Sequence, residues 1–300
     1  MQTYEMPPRP WKDASAQSDQ EVFDHAYNIL LQADEQTIGT ALGIGIWNLE
    51  SLSHDREYGI QLVQPKPLQN LLTLARTNIG FQIRQCAARV IGSSLWNNPE
   101  AMEAIKGSDT VKQLVEILKG EKHTGARASL IFALSAAAAG EDGMREFMSS
   151  QGSQTLREAF LDDEPEVQGK CATFVEDNLV WNRAMTGVDE ELTMWCQSFQ
   201  QSLQRESTPV VSEKAEKILA SLMFISLLCI LTDRAIKNEA RQVCRTEPGF
   251  IKWLADNVVA ENQSEAMLEL LKQARHMFGN PKAARKTAWE DEPLRERDEL

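Results

Sequence analysis

The sequence predicts an all-α protein assembled by stacking three-helix units, and three observations carry that prediction. Between about Ser18 and Gly279 there is almost no period-two alternation of apolar and polar residues, so nothing reads as a half-buried strand. Apolar residues recur at helical spacing instead, in segments broken at Gly, Pro and Asn-Pro. The middle of the chain also repeats itself: Arg84 and Arg127, Ile91 and Leu134, and Leu71 and Leu114 are each 43 residues apart.

Taken in order, residues 1–17 form a loose arm with Pro7, Pro8 and Pro10 and little apolar periodicity. Ser18 is the N-cap that opens a helical cap over 18–57. Repeats occupy 58–185. The first pairs PLQNLLTLAR with the longer IRQCAARVIGSSLWNN, and the second pairs TVKQLVEILKG with ARASLIFALSAAAAG. A third begins near Arg145 and carries SQTLREAFL and QGKCATFVEDNLVWN. Its long helix has two registers: Arg127 to Lys170 is a step of 43, whereas matching Ala87 to Ala172 requires a second step of 42. Residues 186–279 are expected to continue the array, and 280–300 are a charged, extended tail.

A period of 40–47 residues, built from a short, a middle and a long helix, is that of armadillo and HEAT arrays. One triplet cannot cover its own apolar side, so neighbours stack into a right-handed superhelix whose third helices line a concave groove. The small residues Ala87, Ala88 and Ala172 let those helices approach closely. A four-helix bundle requires no 43-residue register and ranks second.

Composition narrows the function. The 31 basic and 44 acidic residues give a net charge of −13, which argues against nucleic acid, whose binding rests on Lys and Arg neutralising phosphates. It suits a protein that meets another protein. The five cysteines, Cys86, Cys171, Cys196, Cys229 and Cys244, are widely spaced with no C-x-x-C. They read as small buried hydrophobes, with a single disulfide as the other reading. The apolar run Ile218–Leu231 is too short to span a bilayer and reads as a core helix. No secretory signal precedes it, so the numbering is expected to describe a processed form. Asn262 heads a glycosylation sequon, and Arg297, Asp298, Glu299 and Leu300 resemble the Lys-Asp-Glu-Leu address that retains proteins in the endoplasmic reticulum.

Catalytic signals are poor, and no catalytic, cofactor-binding or metal-ligating set is predicted. His25, His54, His123 and His276 have no ligand spacing. Gly43-Ile44-Gly45 lacks the third glycine and the preceding strand of a dinucleotide loop and reads as helix packing. What remains is a surface. Groove positions fall near i, i+4, i+8 and i+11 of each third helix: Gln85, Arg89, Ser93 and Trp96 on the first, with Asn97 at its end. Phe132 and Ala136 follow on the second, and Phe174 and Asn178 on the third in the 42-residue register. Aromatics and Arg dominate binding hot spots, although a stripe of aromatics at helical spacing is also what a core presents.

The stretch IRQCAARVIGSSLWNNPEAMEAIKGSDTVKQLVEIL, with Arg127 and the FALS of Phe132–Ser135 after it, resembles the armadillo-type nucleotide-exchange factors of heat-shock chaperones. Arg84, Ala87, Ala88, Ile91, Gly92, Asn97 and Asn98 carry the pattern, and ALGIGIWNLESLSHDREYGIQLV is similar to the lumenal branch. The likeness covers roughly 40–185. Ala139 and Gly140 depart from it where relatives are more polar, and Arg297 departs in the tail. The resemblance implies that the array clasps one lobe of the ATPase domain of BiP, the chaperone of the endoplasmic reticulum, and opens its nucleotide cleft. It also implies no cofactor, and retrieval by the receptor that reads the tail. The rival reading is an armadillo adaptor that cradles a peptide; the groove asparagines such an adaptor needs reduce here to Asn178, with Ser93 and Ala136 in the other two places.

Overall fold

A computed structural model describes residues 18–33, 40–78, 80–162, 164–182, 185, 187–206, 215–223, 247, 249–260 and 264–279. The arm, the tail with Arg297–Leu300, and Asn262 lie outside the described residues, as do Cys229, Cys244 and 224–231. Among those described, every regular element is helical. The chain forms two compact units, Met1–Asn182 and Arg183–Leu300.

The first unit opens with α1 (Asp19–Gln32) and α2 (Thr40–Leu52). Ser18 caps α1 through a capping box: its hydroxyl accepts from the Glu21 amide while the Glu21 carboxylate accepts from its own, satisfying two orphan donors. Three triplets follow. They are α3 (Arg56–Leu62), α4 (Pro65–Arg76) and α5 (Phe81–Leu95); α6 (Pro99–Ala104), α7 (Thr110–Gly120) and α8 (Thr124–Ala137); and α9 (Glu141–Ser149), α10 (Gly152–Leu161) and α11 (Pro165–Phe174). Helix α11 runs on into a π-turn over Val175–Leu179, where the Val180 amide donates to the Val175 carbonyl.

The packing repeats with the sequence. Second helices lie on third helices within each unit (α4 on α5, α7 on α8, α10 on α11), and third helices stack in a row (α2, α5, α8, α11). The pair α1–α2 makes the same contacts as a second and third helix. Leu71, Ile91, Leu114 and Leu134 are all fully buried, so the 43-residue matches are core positions. Beyond their third helices, Asn97 and Gly140, also 43 apart, both take positive φ (55° and 89°). Gly92 sets the closest approach. A Cβ there would lie 2.5 Å from the Phe132 ring and 3.1 Å from the Ala133 Cα.

Polar side chains bind the start of each third helix to the ends of second helices. Arg84 donates to the Thr77 carbonyl at 3.2 Å and, through Nη2 and Nε, to Glu121 at 3.1 and 2.5 Å. Arg127, buried, donates to the Ala159 carbonyl at 2.9 Å and pairs with Asp162 at 2.8 Å. Gln168 donates to the Phe160 carbonyl at 2.9 Å. Burial by itself would raise the Glu121 pKa, but the hydrogen bond from Arg84, with those from the His123 and Lys122 amides, holds it below the usual carboxylate range.

This last arrangement also corrects the third register. Gln168 does what Arg84 does, and it follows Arg127 by 41 residues. The N-caps agree: His123 and Glu164 are 41 apart. Neither 43 nor 42 holds at the start of α11, because the step is already 42 at the start of α10 and α10, at 10 residues, is one shorter than α7 at 11. The π-turn then takes up one residue, so the step becomes 42 beyond it and Trp181 aligns with Ala139 and Trp96.

In the second unit, α12 (Val188–Gln204) buries Trp195 and Phe199 with ring centroids 5.5 Å apart. Helices Phe250–Val258 and Glu265–Gly279 pack together, with Phe250 edge-on to Phe278 at 5.4 Å. Residues 215–223 are helical and bury Ile218, Leu219 and Leu222, as a core segment should. Cys86 and Cys171 are free and buried, and burial raises both thiol pKa values. Cys196, in contrast, is disulfide-bonded, which favours the single-disulfide reading over that of five plain hydrophobes.

Gly92→Val should cost about 1–3 kcal/mol by overpacking, read as a lowered urea midpoint; an unchanged midpoint would refute the close approach. Glu121→Gln should cost about 1.5–3 kcal/mol near neutral pH, as for a hydrogen bond to a charged group. Because the folded pKa is depressed, the carboxylate's contribution is complete above ~4.3, the unfolded value, and is lost as pH falls through the folded one. Melting temperatures from pH 6 to 3 should therefore fall more steeply for the native chain than for Glu121→Gln.

Candidate partner-binding face

The exposed side of the stacked third helices brings most of the predicted strip together. Arg89 is exposed on α5, and its Nη1 donates to Glu50 of α2 at 3.1 Å. Gln85 is half-buried over α8, near enough that a Cβ on Gly125 would meet its amide at 3.1 Å. Ser93 is buried at the floor. Trp96, 45% exposed, lies with its ring centroid 5.9 Å from that of Phe132. Phe132 is half-buried between Gly92 beneath and the ammonium of Lys170, 5.6 Å from its ring centre. Burial gives Phe132 a packing role along with an exposed edge. Ala136 is buried, and Asn97 is exposed beside Trp96.

Two positions on the third repeat require correction. Phe174 is fully buried against Phe147 of α9, with centroids 4.7 Å apart, and offers no surface. With the 41-residue step it occupies the place of buried Ala133. Asn178, 1% exposed, spends its Nδ2 on Ser135 Oγ at 2.8 Å. The residues that do face outward along α11 and its π-turn are Glu166, Lys170, Thr173 and Asp177, spaced i, i+4, i+7 and i+11. Thr173 and Asp177 take the places of Phe132 and Ala136. A signal for this was present: Pro165 marks the first turn of a helix and fixes its start.

Two recesses open on this face. One, of about 230 Å3, is bounded by Glu50, His54, Arg89, Phe132, Glu166 and Lys170 and mixes both signs of charge. The other, of about 410 Å3, lies beyond Trp96 near the helix ends. Among the described residues no group of His, Cys, Asp or Glu could hold a metal ion, and no helix is long and apolar enough to cross a membrane. What the face offers is aromatic edges, ion-pairing groups and hydrogen-bond acceptors on a rigid helical support, the material of a protein interface.

Comparison with known proteins gives this geometry a context. The profile of the family described as "Nucleotide exchange factor SIL1" matches residues 19–293. A curated relative, the nucleotide exchange factor SIL1 of Candida albicans (strain SC5314), is 25% identical over 266 residues, which is 82% of this chain. The chain spans about three fifths of that relative's length, 61%. Among solved structures, a designed armadillo repeat protein aligns over 83% of this chain and 97% of its own, with TM-score 0.55 and 13% identity. Computationally designed armadillo repeat proteins for modular peptide recognition align over 84% and 98%, with TM-score 0.57 and 16% identity. An engineered protein reaches 0.60 at 14% identity over 84% of this chain and 96% of its own. These structural likenesses bear on the fold alone, which is that of an armadillo array.

Proposed function

We propose that this chain, which belongs to the SIL1 nucleotide exchange factor family, promotes ADP release from the ATPase domain of BiP in the lumen of the endoplasmic reticulum. The observation that carries the reading is the family match over 19–293, joined to a stack of helices with an exposed side-chain face. The role needs no catalytic residue. A factor that binds the open, nucleotide-poor ATPase domain more tightly than the closed one shifts the population toward open. By reciprocity, a hundredfold preference, about 2.7 kcal/mol, weakens nucleotide binding by the same factor. ADP then leaves and ATP rebinds.

Location is part of the proposal. The disulfide at Cys196 suits an oxidising compartment, and Arg297–Leu300 would serve as the address read by the retrieval receptor. Asn262 would be available for glycosylation there. The face that meets the ATPase domain is the strip of Arg89, Trp96, the Phe132 edge, Lys170, Thr173 and Asp177. Basic patches on the partner would favour association with an acidic chain, and part of the affinity should weaken with salt.

Stopped-flow release of labelled ADP from BiP tests the proposal. Catalytic amounts of this protein should accelerate release, whereas binding with unchanged release would favour the peptide-cradling adaptor instead. Trp96→Ala should weaken association with the ATPase domain by roughly 1–4 kcal/mol while shifting the melting temperature little, since Trp96 is 45% exposed.

A further inference from the structure

Four side chains connect the surface at Arg89 with the interface of α2 and α5. Arg89 Nη1 donates to Glu50 Oε1 at 3.1 Å; the Arg89 side chain is 44% exposed and that of Glu50 only 16%. Cys86, buried on α5, lies within hydrogen-bonding reach of the Glu50 carboxylate and of the Trp47 indole. Burial and the neighbouring carboxylate keep its thiol protonated, so toward Glu50 it is a donor. Among the described residues the Arg89 guanidinium makes no other hydrogen bond or ion pair, which leaves its Nε–Nη2 edge. The same edge of Arg84 takes both oxygens of Glu121, and a planar fork of this kind matches a carboxylate. Arg89 also borders the recess of about 230 Å3 that Phe132 and Lys170 line, where an incoming side chain has room to reach it. The arrangement is confined to α5, since Phe132 and Thr173 hold the place of Arg89 in the following repeats.

We propose that Glu50 is a positioning residue for the partner-binding face: braced by Cys86 and Trp47, it holds Arg89 with the Nε–Nη2 edge outward, and that edge takes a carboxylate, Asp or Glu, of the partner protein. That the partner is a chaperone ATPase domain rests on the function proposed above; the held guanidinium and its preference for a carboxylate do not. An exposed ion pair adds little to stability. A long side chain fixed beforehand, by contrast, gives up less freedom when its partner arrives. Glu50 also offsets part of the Arg89 charge, and the two effects have opposite signs. Removing Glu50 weakens carboxylate binding if it positions Arg89 and strengthens binding if it merely neutralises it.

Two measurements on the full chain separate the claims. In the first, the Arg89 Nε–H resonance, assigned with Arg89→Lys, should show a heteronuclear NOE as high as that of Arg84. Glu50→Leu, close in volume and without acceptors, should lower it to that of exposed Arg76. Cys86→Ala should lower it in part, and Cys86→Ser, which keeps a donor to Glu50, should not. Titration with Ac-Glu-Asp-Glu-Asp-amide should shift the native signal where Ac-Lys-Arg-Lys-Arg-amide does not, and Glu50→Leu should bind the acidic peptide at least threefold more weakly at unchanged helicity. A mobile native signal, an equal response to both peptides, or unchanged or tighter binding by Glu50→Leu would overturn the proposal. In the second, Arg89→Ala should bind the BiP ATPase domain at least tenfold more weakly and Glu50→Leu at least fivefold. The double variant should lose no more than Arg89→Ala, while Glu100→Leu, the same change on exposed α6, stays within twofold. Additive losses would refute positioning. Should the native chain neither bind BiP nor speed ADP release, the proposed function fails, and the peptide titration still decides the role of Glu50.

Discussion

The approach of α5 to α8 is the constraint on which the first unit depends. A triplet of short amphipathic helices leaves one apolar side uncovered, and only another triplet of matching shape covers it. At Gly92 the absence of a Cβ lets Phe132 and the α8 backbone come in against α5. That contact sets the spacing of the row and buries Ile91 and Leu134. It also fixes the height at which the Phe132 edge emerges, next to Trp96 and under Lys170. Core and surface share one residue here. Core packing and exposed surface therefore cannot be assigned to separate parts of the helix.

Polar groups then hold the stack in register. Arg84, Arg127 and Gln168 stand at the starts of successive third helices, and each donates to a carbonyl at the end of a second helix. Apolar contacts alone tolerate a small slide between helices. A directional hydrogen bond to a carbonyl does not, and the Arg84–Glu121 pair ties one repeat to the next. The electrostatic work inside the array is thus mainly positional. The charged side chains along the outer row are Arg89, which pairs with Glu50, and Glu166, Lys170 and Asp177.

For the role proposed above, the property of this architecture that matters is rigidity. Nucleotide exchange by differential binding would demand a support that does not yield when its partner opens, since any energy spent bending the support is lost from the preference between states. Stacked third helices with buried Ala87, Ala88 and Ala172 give little room to yield. The π-turn at Val175–Leu179 interrupts this regularity where the row of outward residues reaches Asp177. Such turns recur at functional sites because they re-aim side chains without ending the helix.

The sequence by itself determined the all-helical class, the stacking of repeats and the core positions of the first two. Leu71 and Leu114, like Ile91 and Leu134, share a residue count because α5 and α8 start 43 residues apart. The Ser18 cap and the repeat-ending Asn97 were equally legible, since capping and helix termination are local chemistry. Tertiary structure decided the third repeat. One residue lost before α10, one lost within α10, and a π-turn that takes up one changed the count from 43 to 41 and then 42. A one-residue error turns a helix by about 100°. That rotation separates Phe174, buried on Phe147, from Thr173 at the surface, and Asn178, bonded to Ser135, from Asp177 in the recess. Periodicity counts residues along the chain, but a face is defined by neighbours across space.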